Sequence, residues 1–191
     1  MKILLTLLII AAVIVFTIIV IYNRLVALRQ KRNNAFSDIE VQLKLRFDLV
    51  PQLVETVKGY MTHEKELLEN VTQARASVGK SGAGLGDGRL EAEGALGSAL
   101  MNLLAVAENY PDLKANQNFQ VLMDELSDIE NKIAAARRFF NNITSELNTS
   151  VQQFPAVLIA GTFGFHSEEF FEVPEDQKEA INTAPDVKFG S

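Results

Sequence analysis

Three groups of residues in this sequence are of types that do chemistry. The stretch Val78-Gly79-Lys80-Ser81 carries the ending of a phosphate-binding loop, in which backbone amides and a lysine cradle the phosphates of a nucleotide. That loop needs an earlier glycine five residues before Gly79 and a strand leading into it. Position 74 is Ala74, inside an apolar repeat of helical spacing, so both requirements fail. The other glycines fit G-x-G-x-x-G in no frame. His63 and His166 are the only histidines, so a metal site would have to lean on carboxylates. A di-iron bundle requires Glu-x-x-His pairs, and the residues three before these histidines are Tyr60 and Phe163. His63, beside Glu64, reads as a solvated residue at a helix start, where acids favour the first turn; His166 reads the same way. The third group is charged: Asp38, Glu40, Lys44, Arg46 and Asp48 in one segment, and Asp128, Glu130, Lys132, Arg137 and Arg138 in another. Arg46 falls on an apolar seam. The favoured reading is that it snorkels its head to water while its stem packs; the alternative is that it meets a carboxylate such as Glu130 and fixes helix register.

No acid, base and nucleophile combine in these groups. The sequence therefore assigns no catalytic, cofactor-binding or metal-ligating residue, implies no cofactor, and does not read as an enzyme. The chain has no cysteine, which removes disulfides, thiolate metal sites and a cysteine nucleophile together. A net charge of -6 and a pI near 5.0 argue against the broad basic surface that nucleic acid requires. With no tryptophan, five prolines and many Leu, Ala, Asn and Glu, the composition favours helices over short strands.

The elements that must position these residues begin with a membrane segment. Ile3 to Tyr22 form an unbroken run of twenty residues without charge, glycine or proline. At ~1.5 Å per residue the run is ~30 Å long, the thickness of a bilayer's hydrocarbon core. A cleaved secretory signal is the competing reading, but signal cores are shorter and end in a small-residue site, whereas this run ends Ile21-Tyr22-Asn23-Arg24. Only Lys2 and the amino terminus precede the run, while Arg24, Arg29, Lys31 and Arg32 follow it. That excess of positive charge favours a single-pass protein with the bulk of the chain on the cytoplasmic side.

Beyond the membrane, apolar residues recur every three or four positions, the mark of a helix with one buried stripe. Leu25, Leu28, Ala35/Phe36, Ile39, Leu43, Val50, Leu53, Val57 and Tyr60 share one phase, with Arg32 and Arg46 at two seam places. The anchor is thus expected to run directly into the first bundle helix. Pro51 either kinks that helix, the preferred reading, or starts a new one capped by Asp48. Gly59 and Thr62 read as a C-terminal glycine and an N-cap. A second helix carries Leu67, Val71, Ala74 and Val78, and a loop with five glycines follows over 79–88. A third carries Leu90, Leu96, Leu100, Leu103/Leu104 and Ala107, ending before Pro111. The fourth has the cleanest pattern, from Phe119 through Ile133 and Phe140 to Val151 and Phe154, in almost five coiled-coil-like heptads. Short connections make successive helices antiparallel, so the fold class is all-α: an N-terminal transmembrane helix followed by an antiparallel up-and-down bundle of long helices. The domains are an anchor over 1–22, a bundle over 23–153, an apolar membrane-proximal segment over 154–167, and an acidic flexible tail over 168–191. The charge-free stretch 154–165 is either an interfacial or partner-docking patch or a lid over the base of the bundle.

Several stretches resemble the LemA family of bacterial membrane proteins: Tyr22-Asn23-Arg24-Leu25, Asn34-Ala35-Phe36-Ser37-Asp38-Ile39, Asp48-Leu49-Val50-Pro51-Gln52-Leu53-Val54, Ala105-Val106-Ala107-Glu108-Asn109-Tyr110-Pro111, Ala136-Arg137-Arg138-Phe139-Phe140-Asn141, and Phe154-Pro155 with Gly161-Thr162-Phe163-Gly164-Phe165. The resemblance implies a single anchor carrying a helical bundle in the cell membrane, and it carries over no reaction and no site residues. Two functions are compatible with all this. One is a membrane-tethered interaction or scaffold module whose partners are the lipid bilayer, another protein and, through surface at Phe139, Leu113, Val121 and Met123, a second copy. The other is a sensory bundle that binds a small ligand between helices.

Overall fold

A computed structural model describes residues 1–82, 84 and 86–171 of the chain. It consists of helices α1 (Lys2–Lys58), α2 (Lys65–Lys80), α3 (Asp87–Ala107), α4 (Pro111–Lys114) and α5 (Gln117–Gln152), followed by two 3-10 turns, Ala156–Leu158 and Gly161–Phe163. Among the described residues there is no strand. The all-α class and the uninterrupted passage from the apolar N-terminal run into the bundle are as the sequence predicts.

α1 passes through Pro51 without ending, which excludes a fresh helix capped by Asp48; that carboxylate pairs instead with Lys44 one turn before it. Proline cannot donate to the carbonyl four residues earlier. Here that carbonyl, on Phe47, accepts a hydrogen bond of 3.0 Å from Arg75 Nε on α2, and the Arg75 guanidinium lies 3.9 Å above the Phe47 ring. A tertiary donor thus replaces the missing backbone one. Gly59 does follow the last residue of α1, but Thr62 is not a cap: α2 begins after Glu64. The turn also shifts the seam by one residue, so Met61 is buried and Tyr60 is exposed. The glycine-rich loop is shorter than expected, because Gly79 and Lys80 close α2 and Asp87 and Gly88 open α3.

The described chain divides into two compact units, one of 1–41 with 132–171 and one including 42–131. In the first, α1 and α5 run antiparallel: Phe36 meets Phe140, Arg32 meets Thr144, and Leu25 and Leu28 share a core with Leu147 and Val151. Ala160 and Phe165 complete that core from the segment after α5. The seam stops at Val151, since α5 ends at Gln152 ahead of Pro155, and Phe154 is 79% exposed where the sequence reading placed it in the stripe.

In the second unit α1, α2, α3 and α5 form an up-down-up-down bundle, with α4 in the last connection. Antiparallel pairing follows from the contacts of Phe47 with Arg75 and of Val78 with Arg89, and from Asn116, just before α5, with Tyr60. Leu53, Val57, Val71, Leu96 and Leu103 are fully enclosed, each burial contributing ~1.5–3 kcal/mol. Leu113, read from sequence as surface, is enclosed too, because α4 turns it inward. Phe139 and Val121 are exposed as expected, and Met123 is half-buried.

Candidate functional site

The structure disposes of the nucleotide-loop ending on electrostatic grounds. Phosphate loops precede a helix, so that free amides and the positive end of the helix dipole face the anion. Here Gly79-Lys80 end a helix and Ser81 Oγ donates to the Val78 carbonyl, which puts the negative end of α2 at the motif. His63 and His166 are exposed. Among the described residues no group of three or more His, Asp or Glu could hold a metal.

Arg46 is only 2% exposed, so the snorkelling preferred from sequence does not occur. Its Nη1 pairs with Glu130 Oε1 at 2.9 Å, and its Nη2 pairs with Glu93 Oε2 at 2.6 Å and donates to the Glu93 carbonyl at 3.1 Å. Glu93, 1% exposed, also pairs through Oε1 with Arg89 at 2.7 Å. Two arginines and two glutamates from three helices therefore neutralise one another inside the second unit. Sequence reasoning named Glu130 only in the less favoured alternative and missed Glu93. In the connections at the far end of α1 and α3, Tyr110 donates to Glu64 Oε1 at 3.0 Å, and this bond to a carboxylate, with burial, raises the tyrosine pKa. These groups tie helices together; they offer no nucleophile and no open acid–base pair.

In the first unit the side chains hold a length of chain. Asn148 accepts from the Glu168 amide at 2.7 Å and donates to the Glu168 carbonyl at 2.9 Å; Asn141 makes the same pair of bonds with Phe171, at 2.8 and 3.0 Å. The two asparagines are seven residues apart on α5, ~10.5 Å along the axis, and the strap residues are three apart, ~10 Å in extended chain. The registers match. Arg32 adds an ion pair to Glu168 at 3.3 Å and a hydrogen bond to the Glu169 carbonyl at 2.9 Å, with its guanidinium 4.7 Å over the Phe140 ring. Phe171 is buried edge-on to Phe140 and beneath Arg137. Residues 168–171, assigned from sequence to a flexible tail, are thus fixed; 172–191 lie outside the described residues. The sequence carried a faint signal: Asn141 and Asn148 each follow a seam residue, Phe140 and Leu147, at one heptad's spacing.

Between α5 and the strap, the charge-free segment has two faces. Ala156, Ala160 and Phe165 are buried against α1 and α5 as a lid. Phe154, Val157, Leu158 and Phe163 are exposed. Tyr22 packs edge-on to Phe163 and Phe165, and Arg29 lies 4.7 Å over Phe165. The buried side is the lid offered as one alternative by the sequence, and the other side leaves apolar side chains exposed. What these side chains do is grip a length of chain and cover the core of the first unit.

Comparison with known proteins agrees in extent with this architecture. The sequence profile of the LemA family matches residues 35–189. The chain is 26% identical to the magnetosome protein MamQ of Magnetospirillum gryphiswaldense over 179 residues, covering 81% of this chain and 66% of the relative. It is 24% identical to magnetosome protein MamQ 2 of Paramagnetospirillum magneticum, over 82% of this chain and 66% of that one. A protein LemA of Metamycoplasma hominis is 25% identical over 85% of this chain and 74% of its own length. The chain thus spans slightly less than two thirds of the magnetosome relatives. With the family profile matched across most of its length, this chain belongs to the LemA family.

Proposed function

We propose that this protein is a membrane-anchored scaffold, an interaction module held at the cell membrane by residues 3–22 that performs no catalysis. The observation that carries the reading is α1 itself. Its apolar window has a mean hydropathy of 3.3, none of it is covered by the rest of the described chain, and the same helix continues into the bundle. The window at Gly88–Ala107 also has the length of a span, but its hydropathy is 1.2, a third of it is buried, and it carries Glu93 into the ion-pair network. That makes it a bundle helix. The names of the relatives are not those of enzymes, which supports a structural role. The lipid bilayer is the first partner, a protein the second, and a second copy of the chain a further one; nucleic acid is not among them. The positive charge after the span favours a cytoplasmic bundle. Protease added to spheroplasts tests this: protection of the bundle supports the reading, and its digestion places the bundle outside.

A small-ligand-binding bundle is the second reading, and one observation favours it. Between the end of α1 and α2 lies a groove of about 740 Å³, within the size range of ligand pockets. Val54, Met61 and Leu68 supply apolar surface there, with Lys58, Lys65 and Glu69 among the polar groups. A ligand soaked into purified protein that shifts its melting temperature, with the shift lost in Leu68→Glu, would favour this reading over the scaffold.

A further inference from the structure

We infer that the turn over residues 154–163 is a second membrane contact, a foot that inserts Phe154, Val157, Leu158 and Phe163 into the interfacial layer of the same bilayer that α1 spans. The inference rests on the anchor reading. Three observations carry it. First, these four side chains are exposed together, Phe154 at 79% and Leu158 at 70%, on a segment with no charge from 154 to 165. Leaving them in water forfeits the burial that apolar side chains gain elsewhere.

Second, the segment sits at a defined level along α1. Phe163 packs edge-on to Tyr22, the last residue of the apolar run, with ring centroids 5.2 Å apart. Phe154 and Pro155 share a small cleft with Ile21, Arg24 and Leu25. If residues 3–22 fill the hydrocarbon, residues 21–25 mark its boundary, and the exposed side chains lie at that boundary. This is the layer in which aromatic belts and interfacial segments settle, buried by ~5–10 Å.

Third, the buried side of the turn fixes its orientation. Ala160 and Phe165 are enclosed in the core of α1 and α5 and Ala156 is buried as well, so the opposite side cannot fold inward. Arg24 and Arg29 stand exposed at and just above the same level, suited to lipid phosphates, and Arg29 caps Phe165. The apolar surface of the foot is therefore continuous with a surface that must itself be covered by lipid, which selects the bilayer over a protein as occupant.

The absence of native tryptophan makes a clean test. The full chain, carrying one of three substitutions, is reconstituted at low protein density in phosphatidylcholine and phosphatidylglycerol vesicles, with and without bromine on the acyl chains. Ile10→Trp reports the span, Leu158→Trp the foot, and Ser37→Trp an exposed position on α1 ~22 Å beyond Tyr22. The expected result for Leu158→Trp is emission to the blue of Ser37→Trp, protection from iodide, and loss of intensity with shallow bromine greater than with deep. Emission matching that of Ser37→Trp, quenched by iodide, overturns the foot. Blue emission untouched by brominated lipid also overturns it, since protein then covers the turn. In both cases quenching of Ile10→Trp by deep bromine leaves the anchor standing; if that too is lost, the anchor reading has failed first.

Discussion

Both compact units lay arginines on phenylalanine rings, Arg75 on Phe47 in the second, but the second also seals one among carboxylates. In the second, Arg46 is sealed in the bundle and bonded to Glu93 and Glu130, with Arg89 completing the set. In the first, Arg29, Arg32 and Arg137 each lie over a phenylalanine ring, of Phe165, Phe140 and Phe171, and Arg32 binds the strap with its remaining donors. A sealed charge must be matched by fixed counter-charges, so it dictates which helices meet and in what register. A guanidinium lying on a ring near the surface keeps part of its hydration and gains a cation–π contact, so it can fasten a segment without being enclosed. The difference teaches that sealed charges match helix to helix in one unit, while in the other a grip near the surface holds accessory chain against two helices.

The comparison breaks most visibly at Arg46. Arg46→Met should leave the buried Glu93 with Arg89 as its remaining ion-pair partner and lower the unfolding free energy by up to ~3–5 kcal/mol, seen as a reduced denaturant midpoint. Adding Glu93→Leu should recover most of that loss; a double variant as unstable as the single one would mean that the network is not what holds the register. Next comes Arg75, which serves the carbonyl that Pro51 leaves free. Arg75→Ala should cost ~2–3 kcal/mol for a charged hydrogen bond and its ring contact. In a Pro51→Ala background the cost should shrink, because residue 51 then donates to Phe47 itself, and equal losses in both backgrounds would refute the compensation.

In the first unit the expected effects are smaller and local. Asn148→Ala removes two neutral hydrogen bonds to Glu168, ~1–2 kcal/mol, and should speed proteolysis within 167–171 while hydrogen exchange in 42–131 stays unchanged. Uniform loss of protection would show that the strap is not an independent fastening. The smallest effect concerns Tyr110. Its pKa lies above the ordinary value of 10.0 because the hydroxyl donates to Glu64. The contact therefore stabilises fully below that ordinary value and is lost as pH rises through the raised one. Tyr110→Phe should lower stability slightly across the neutral region and flatten the alkaline limb of a stability profile, because the contact it removes is the one that the unsubstituted chain loses there.

Much of the fold was legible because burial in helices repeats with a period. Leu25, Ile39, Leu53 and Ile133 announced themselves by spacing alone. Periodicity says nothing about four-residue elements, so α4 was invisible and Leu113 was misread as surface. Nor does it measure local cost: a glycine's helix penalty is only ~1 kcal/mol, and Gly79 lies inside α2 all the same. Arg46 was misread for a related reason, since the partner that makes its burial tolerable lies 47 residues away and no spacing rule connects them. The strap was hidden by composition. Glu168 and Glu169 look solvated, and the asparagines that hold the backbone read any sequence alike.

The central claim is that α1 stays in the bilayer and carries the bundle on the same helix. Its most direct test is the intact mass of the chain in alkali-washed membranes. The account predicts that the chain remains with the membrane and retains residues 3 to 22, whereas a chain starting after residue 22 and released to the soluble fraction would contradict it.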